Sequence, residues 1–227
     1  MVSKSVINQL NQLSVPLGCK VDWVLVASDF KLGSEMILDY PDYCFGNETR
    51  MKSFRKKRLK MIVKFLKSGG YWYKVKDFVR ERIVKGINIK YKSPYVFYAT
   101  NQKDLTMFIS CFNKGKSWKR DVDDNLILGR IYGFPIEAVK AYSKNVGDIS
   151  RTFWPEELEH VDVSELKYGN EPWFVYMSYI ARHDKEEDTE VAKKWYQCVR
   201  TQAVWLDRRM QKRGVEYHNR FLKRKKT

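Results

Sequence analysis

Three stretches of this 227-residue chain have the residue types and spacing to do chemistry. Asp121-Val122-Asp123-Asp124 has the carboxylate density to hold Mg²⁺, which would suit phosphoryl chemistry. It also stands just ahead of an expected helix, where aspartates cap the first turn and offset its dipole. Asp42 and Glu48 followed by Arg50 resemble the acid-and-base content of a nuclease site. The intervening Cys44-Phe45-Gly46-Asn47 does not read as the strand such a site needs. Gly115-Lys116-Ser117 looks like the end of a phosphate loop but lacks the earlier glycine and the preceding apolar strand. His160, His183 and His218 have no partner at metal or nucleophile spacing. Cys19, Cys44, Cys111 and Cys198 form no Cys-x-x-Cys, so they read as reduced, mostly buried thiols. No metal, cofactor or catalytic residue is assigned on these grounds, and enzymatic activity stays open.

The cations carry a stronger pattern. Residues 50–92 hold 16 Lys and Arg against only Asp77 and Glu81, in a chain of formal net charge +16. A positive surface of this density attracts phosphates. The candidate nucleic-acid contacts are Arg55, Lys56, Lys57, Arg58, Lys60 and Lys64, then Lys74, Lys76, Arg80 and Arg82, then Lys90 and Lys92. Arg55 and Arg58 fall near the apolar sector of their expected helix. Either their stems reach outward past it, or they line an anion pocket. Tyr71, Trp72, Tyr73, Tyr91, Tyr95 and Tyr98 are interleaved with these lysines. Such rings either stack on unpaired bases or belong to the core.

The elements that must position these residues follow from periodicity. Over 50–67, Met51, Phe54, Leu59, Met61, Ile62, Phe65 and Leu66 share one helical sector, with the lysines opposite. Asn47 or Thr49 can cap the start, and Gly69-Gly70 can end the helix in a left-handed turn. A second helix is expected over 75–85, closed by Gly86, and a hairpin of 87–91 with 95–99 around Lys92-Ser93-Pro94. Helix, glycine turn, helix and hairpin is the element order of a winged helix-turn-helix. In that reading residues 72–85 enter the major groove, and Lys90 and Lys92 ride on the wing. Residues 3–13 read as a short amphipathic helix and 23–27 as a buried strand or short apolar segment. Helices are also expected over 105–112, 126–132, 135–143 and 189–213, and the tail 223–226 as frayed. Residues 155–190 turn acidic, with eleven Asp and Glu against three Lys and Arg. This stretch could pack against the basic helices and dampen their field.

Leu128-Gly129-Arg130-Ile131-Tyr132-Gly133-Phe134-Pro135, followed by Glu137-Ala138-Val139 and Tyr142, resembles a segment of uncharacterised archaeal and phage proteins. The resemblance covers under a tenth of the chain and implies no activity. Its physical content is a helix, a Gly-x-Pro bend and a helix.

With 44% hydrophobic and 15% aromatic residues the chain can bury a core, which excludes disorder by composition. The expectation is an α+β protein, predominantly helical with a small hairpin or sheet component, forming one domain over 1–227. A basic helix-turn-helix/hairpin segment spans about 50–99, and a basic C-terminal helix and tail about 189–227. Met1 to Leu13 carries no apolar signal region, and the longest apolar stretch is too short to cross a bilayer. A cytoplasmic protein with no membrane partner is therefore expected. The leading functional expectation is a nucleic-acid-binding protein, DNA or RNA, acting as a non-enzymatic accessory or regulatory factor. The rivals are a metal-dependent enzyme acting on nucleic acid or nucleotides, and a basic protein that binds an acidic protein partner.

Overall fold

Three strands form an antiparallel sheet: β1 (Gly33–Ile37), β2 (Trp72–Val84) and β3 (Ile87–Ala99), in the order β1-β3-β2. The structure is a computed structural model that describes residues 2–84, 86–113, 121–140, 143, 176 and 186–224. Strand β2 corrects the expectation of a helix over 75–85. Val75, Val79 and Ile83 stand four apart, a spacing that lines one side of a helix and equally one side of a strand. Branching at Cβ favours the strand, and a 13-residue partner, β3, supplies its hydrogen bonds. Gly86 does not close a helix. It holds φ 83° between the last paired residues, Val84 and Ile87, as a tight hairpin connection requires. The winged helix-turn-helix reading fails with the helix, since its recognition element is a strand.

The expected turn at Lys92-Ser93-Pro94 also gives way, because β3 runs straight through it. Proline is tolerated there for a geometric reason. The Pro94 carbonyl accepts from the Leu38 N–H, so Pro94 directs its backbone groups away from β2. The pairing of β1 with β3 stops at Ile37↔Tyr95, so the missing N–H breaks no rung of the ladder.

Helices α1 (Lys4–Gln12) and α2 (Leu17–Ala27) open the chain. The 23–27 segment, expected as a buried strand or short apolar segment, is the end of α2. Its apolar run is buried nearly all round, and such a run has no period to tell helix from strand. The long basic helix α3 (Glu48–Ser68) forms as expected. Asn47 Oδ1 accepts from the Arg50 N–H at 2.9 Å, and Gly70 at φ 75° closes the other end. There the N–H groups of Gly70 and Tyr71 reach the carbonyls of Lys67 and Leu66, which satisfies two terminal acceptors. Ile62, Phe65 and Leu66 bury one side of α3, with Phe65 against Trp23 at 4.9 Å between ring centroids.

Four further helices follow: α4 (Gln102–Asn113), α5 (Val122–Ile131), α6 (Glu186–Gln202) and α7 (Val204–Arg224). Residues 136–140 are also helical. The single helix expected over 189–213 is broken at Ala203, whose carbonyl accepts from the N–H of both Leu206 and Asp207. The protein is thus α+β and predominantly helical. Its backbone contacts divide it into two compact units, Met1–Ile109 and Ser110–Thr227, where composition suggests one domain. Among the described residues no helix is long and apolar enough to cross a membrane. Residues 114–117, most of the acidic stretch 155–190, His160, His183 and the tail beyond Arg224 lie outside the described residues.

Candidate nucleic-acid interface

The described cations of 50–92 divide into those bound to the protein and those left open, and their types explain the division. A guanidinium can bond several acceptors at once in a fixed fork, so arginines are suited to tying elements together. Arg55 donates from Nη2 to both oxygens of Asp77 at 2.8 and 2.9 Å, joining α3 to β2. Arg58 lies over the Phe54 ring at 5.6 Å and donates to the Met61 sulfur at 3.5 Å. Arg82 donates to the Tyr40 carbonyl at 2.9 Å, pairs with Asp42 at 2.8 Å and lies over Phe45. Arg55 and Arg58 are held by protein groups. Arg82, expected on a recognition helix, clamps the chain after β1 onto the hairpin.

The lysines of α3 differ. At 100° per residue Lys56, Lys57, Lys60 and Lys64 fall within about a quarter of the helix circumference, opposite the buried Ile62. All four are exposed, and none forms an ion pair with another described residue. At 1.5 Å rise per residue the row from Lys56 to Lys64 is about 12 Å long. Lys52 flanks it, paired with Glu48 at 2.7 Å, and Lys67 lies over Tyr73 at 5.9 Å.

On the sheet, register sorts the remaining candidates. Lys74, Lys76, Arg80 and Arg82 alternate along one face of β2, opposite Phe97, Tyr95, Tyr91 and Ile89 of β3. Lys74 is exposed there, while Lys76 and Arg80 are half-buried. Lys90 and Lys92 project from the other face, opposite Glu81 and Val79. Lys90 pairs with Glu81 at 3.2 Å, and Lys92 is exposed.

Most interleaved aromatics are half-buried. Tyr98 is fully buried, and Tyr71 packs edge-on to both Trp23 and Tyr98. Tyr91 packs on Tyr40 and Phe45, and Tyr95 on Phe78. Burial lifts the Tyr71 phenol from 10.0 to about 12 and also holds the Tyr98 phenol well above its ordinary value. Of these rings Trp72 is the one substantially open, at 50% exposure.

No family model, curated protein or solved structure matches the chain. The site therefore rests on its own geometry.

Asp123 is exposed, while the other acidic candidates serve the fold. Asp42 pairs with Arg82 and Glu48 with Lys52. Asp121 caps α5, its Oδ1 accepting from the Asp124 N–H at 2.8 Å, and Asp124 is buried. Among the described residues no three His, Cys, Asp or Glu side chains converge as metal ligands would. The cysteines are free thiols, three of them buried. A feature that the sequence reading passed over is the exposed apolar content of the hairpin: Val79, Ile83 and Ile87. Its available signal is three β-branched residues set among charges.

Proposed function

We propose that the protein binds duplex nucleic acid through the lysine face of α3, as an accessory or regulatory binding factor. The observation that carries this is the division just described. The arginines of 50–92 that stand near carboxylates or rings serve the fold, while Lys56, Lys57, Lys60 and Lys64 stay exposed in one row. A row of mobile ammonium groups on a rigid rod suits phosphates along a groove wall, because each lysine acts as a point charge that needs no fixed geometry. The exposed Arg208, Lys212 and Arg213 on α7 offer a second basic face in the other unit.

The test is binding of the purified protein to labelled duplex DNA, single-stranded DNA and RNA across a salt series. Log affinity is expected to fall linearly with log salt, by about 0.9 per phosphate neutralised on B-DNA. Replacing Lys56, Lys57, Lys60 and Lys64 together with Ala should reduce that slope by up to about 3.6 units and leave the protein folded, since none of the four packs in the core. Equal binding by this variant, or no binding by the natural protein near physiological salt, overturns the reading. Mg²⁺-dependent cleavage of the ligand would make the protein an enzyme instead.

A further inference from the structure

The β2–β3 hairpin is longer than the sheet it belongs to. Strand β1 pairs with β3 only over Tyr95–Ala99, so from Pro94 to Ile87 strand β3 has β2 as its one strand partner among the described residues. The chain after β1 braces the base of this extension. Ser93 Oγ donates to the Leu38 carbonyl, Arg82 to the Tyr40 carbonyl, and Tyr91 packs on Tyr40. One face of the extension carries Val79, Glu81 and Ile83 from β2, opposite Lys92, Lys90 and Asn88 of β3. These six residues are all exposed, Val79 at 66% and Ile83 at 74%. Ile87, beside the turn, is 66% exposed.

Two apolar side chains this open on a ribbon face bury little of their surface in the fold. The bland explanation of scattered surface apolar residues does not cover their arrangement. Val79 and Ile83 are next-but-one neighbours on the same face, separated only by Glu81, and each stands opposite a polar β3 residue. The same face continues under α3, since Asp77, the previous residue on it, is the one that Arg55 holds. The open face therefore begins where the cover of α3 ends, next to the helix that carries the lysine row.

We infer that this ribbon face lies in the major groove of duplex DNA, with Val79 and Ile83 against thymine methyl groups. The inference rests on the duplex-binding reading above and adds sequence preference to it. Three arguments support duplex DNA as the occupant. A two-stranded ribbon fits a major groove about 12 Å wide. The rim charge complements phosphate, because Lys92 is exposed and Lys90 offsets Glu81. An apolar side chain gains by covering a thymine methyl, which only the major groove presents. Asn88, directly opposite Ile83, has the donor and acceptor that adenine offers on the same edge. Its Nδ2 donates to Glu81 Oε2 at 3.3 Å.

The experiment selects duplexes from a randomised DNA pool with the full-length protein, then measures affinity for the selected site, a scrambled duplex, and the selected site with thymine replaced by deoxyuridine. Deoxyuridine removes the methyl and keeps every base-pair hydrogen bond. Expected are an A·T-containing selected site, a three- to tenfold loss with deoxyuridine, and loss of the preference in Val79→Ser/Ile83→Ser. That variant should retain salt-dependent binding to scrambled duplex, which also shows that it is folded. If the natural protein binds all duplexes alike, or the variant keeps the selected preference, the ribbon does not read bases although the lysine face still binds. Failure to bind any duplex removes both readings. If instead the protein is a dimer that Val79→Ser/Ile83→Ser converts to monomer with unchanged preference, the face belongs to a second copy and the inference falls.

Discussion

Arg55 and Lys56 are neighbours in sequence and bear the same charge, yet only one of them faces a carboxylate. The Arg55–Asp77 pair is about one-third exposed on each side, so solvent screens it, and a coupling of about 0.5–1 kcal/mol is expected. A double-mutant cycle of Arg55→Ala and Asp77→Ala in urea measures it. Arg55→Ala should also leave the salt slope of DNA binding unchanged, unlike the lysine variant, and a lowered slope would place Arg55 in the interface. The buried thiol of Cys19 makes a separate prediction. Burial raises it from 9.0 to about 12. The folded chain then keeps a proton that the unfolded chain loses above pH 9. This contribution is complete below pH 9 and is lost as pH rises toward 12, by up to about 1.4 kcal/mol per pH unit. Urea midpoints should decline over that window, and more gently in Cys19→Ala. Equal slopes in the two proteins would remove the thiol as the cause.

Among elements, the bend after α5 shows how a short motif becomes geometry. The N–H groups of Gly133 and Phe134 donate to the carbonyls of Arg130 and Gly129, and Gly133 holds φ 68°, so the helix ends in a left-handed cap. Gly129 has a second task. A Cβ built there would stand 2.5 Å from a methyl carbon of Val139, on the helical residues 136–140. Gly129→Ala should therefore destabilise the protein by about 1–3 kcal/mol. Val139→Ala in the same chain should recover part of that loss, as thermal unfolding can measure. Additive losses would mean that the two residues do not share the space. The Leu128 to Pro135 segment thus has a structural reason for each of its glycines, backbone conformation at Gly133 and close packing at Gly129.

For the whole molecule, the charge is unevenly used. A formal net charge of +16 creates a field that raises encounter rates with polyanions and weakens as salt rises. Net charge does not say which cations meet the ligand, since the same total includes Arg82 in its clamp and Lys60 in open water. Each compact unit presents its own basic helix, α3 in Met1–Ile109 and α7 in Ser110–Thr227. If α3 carries the affinity, the four-lysine variant loses most of its salt dependence. A slope that barely changes would shift the emphasis to α7.

The sequence alone determined the long basic helix, its caps, the α4 and α5 helices and the α+β class. Each depends on signals within one turn or one amphipathic period, such as Asn47 ahead of α3 or Gly70 behind it. It did not determine the β2 strand, the α2 helix or the straight course of β3 through Pro94. Val75, Val79 and Ile83 satisfy helix and strand alike, and the buried run of 21–26 has no period at all. Only the partner strand, the brace at Leu38 and the surrounding core decide between the alternatives. The same holds for the candidate site. Composition marks a basic segment of about 50–92, but which cations are open depends on where Asp77, Asp42 and the Tyr40 carbonyl stand. Those partners lie up to 42 residues away in the chain, and folding alone brings them into reach.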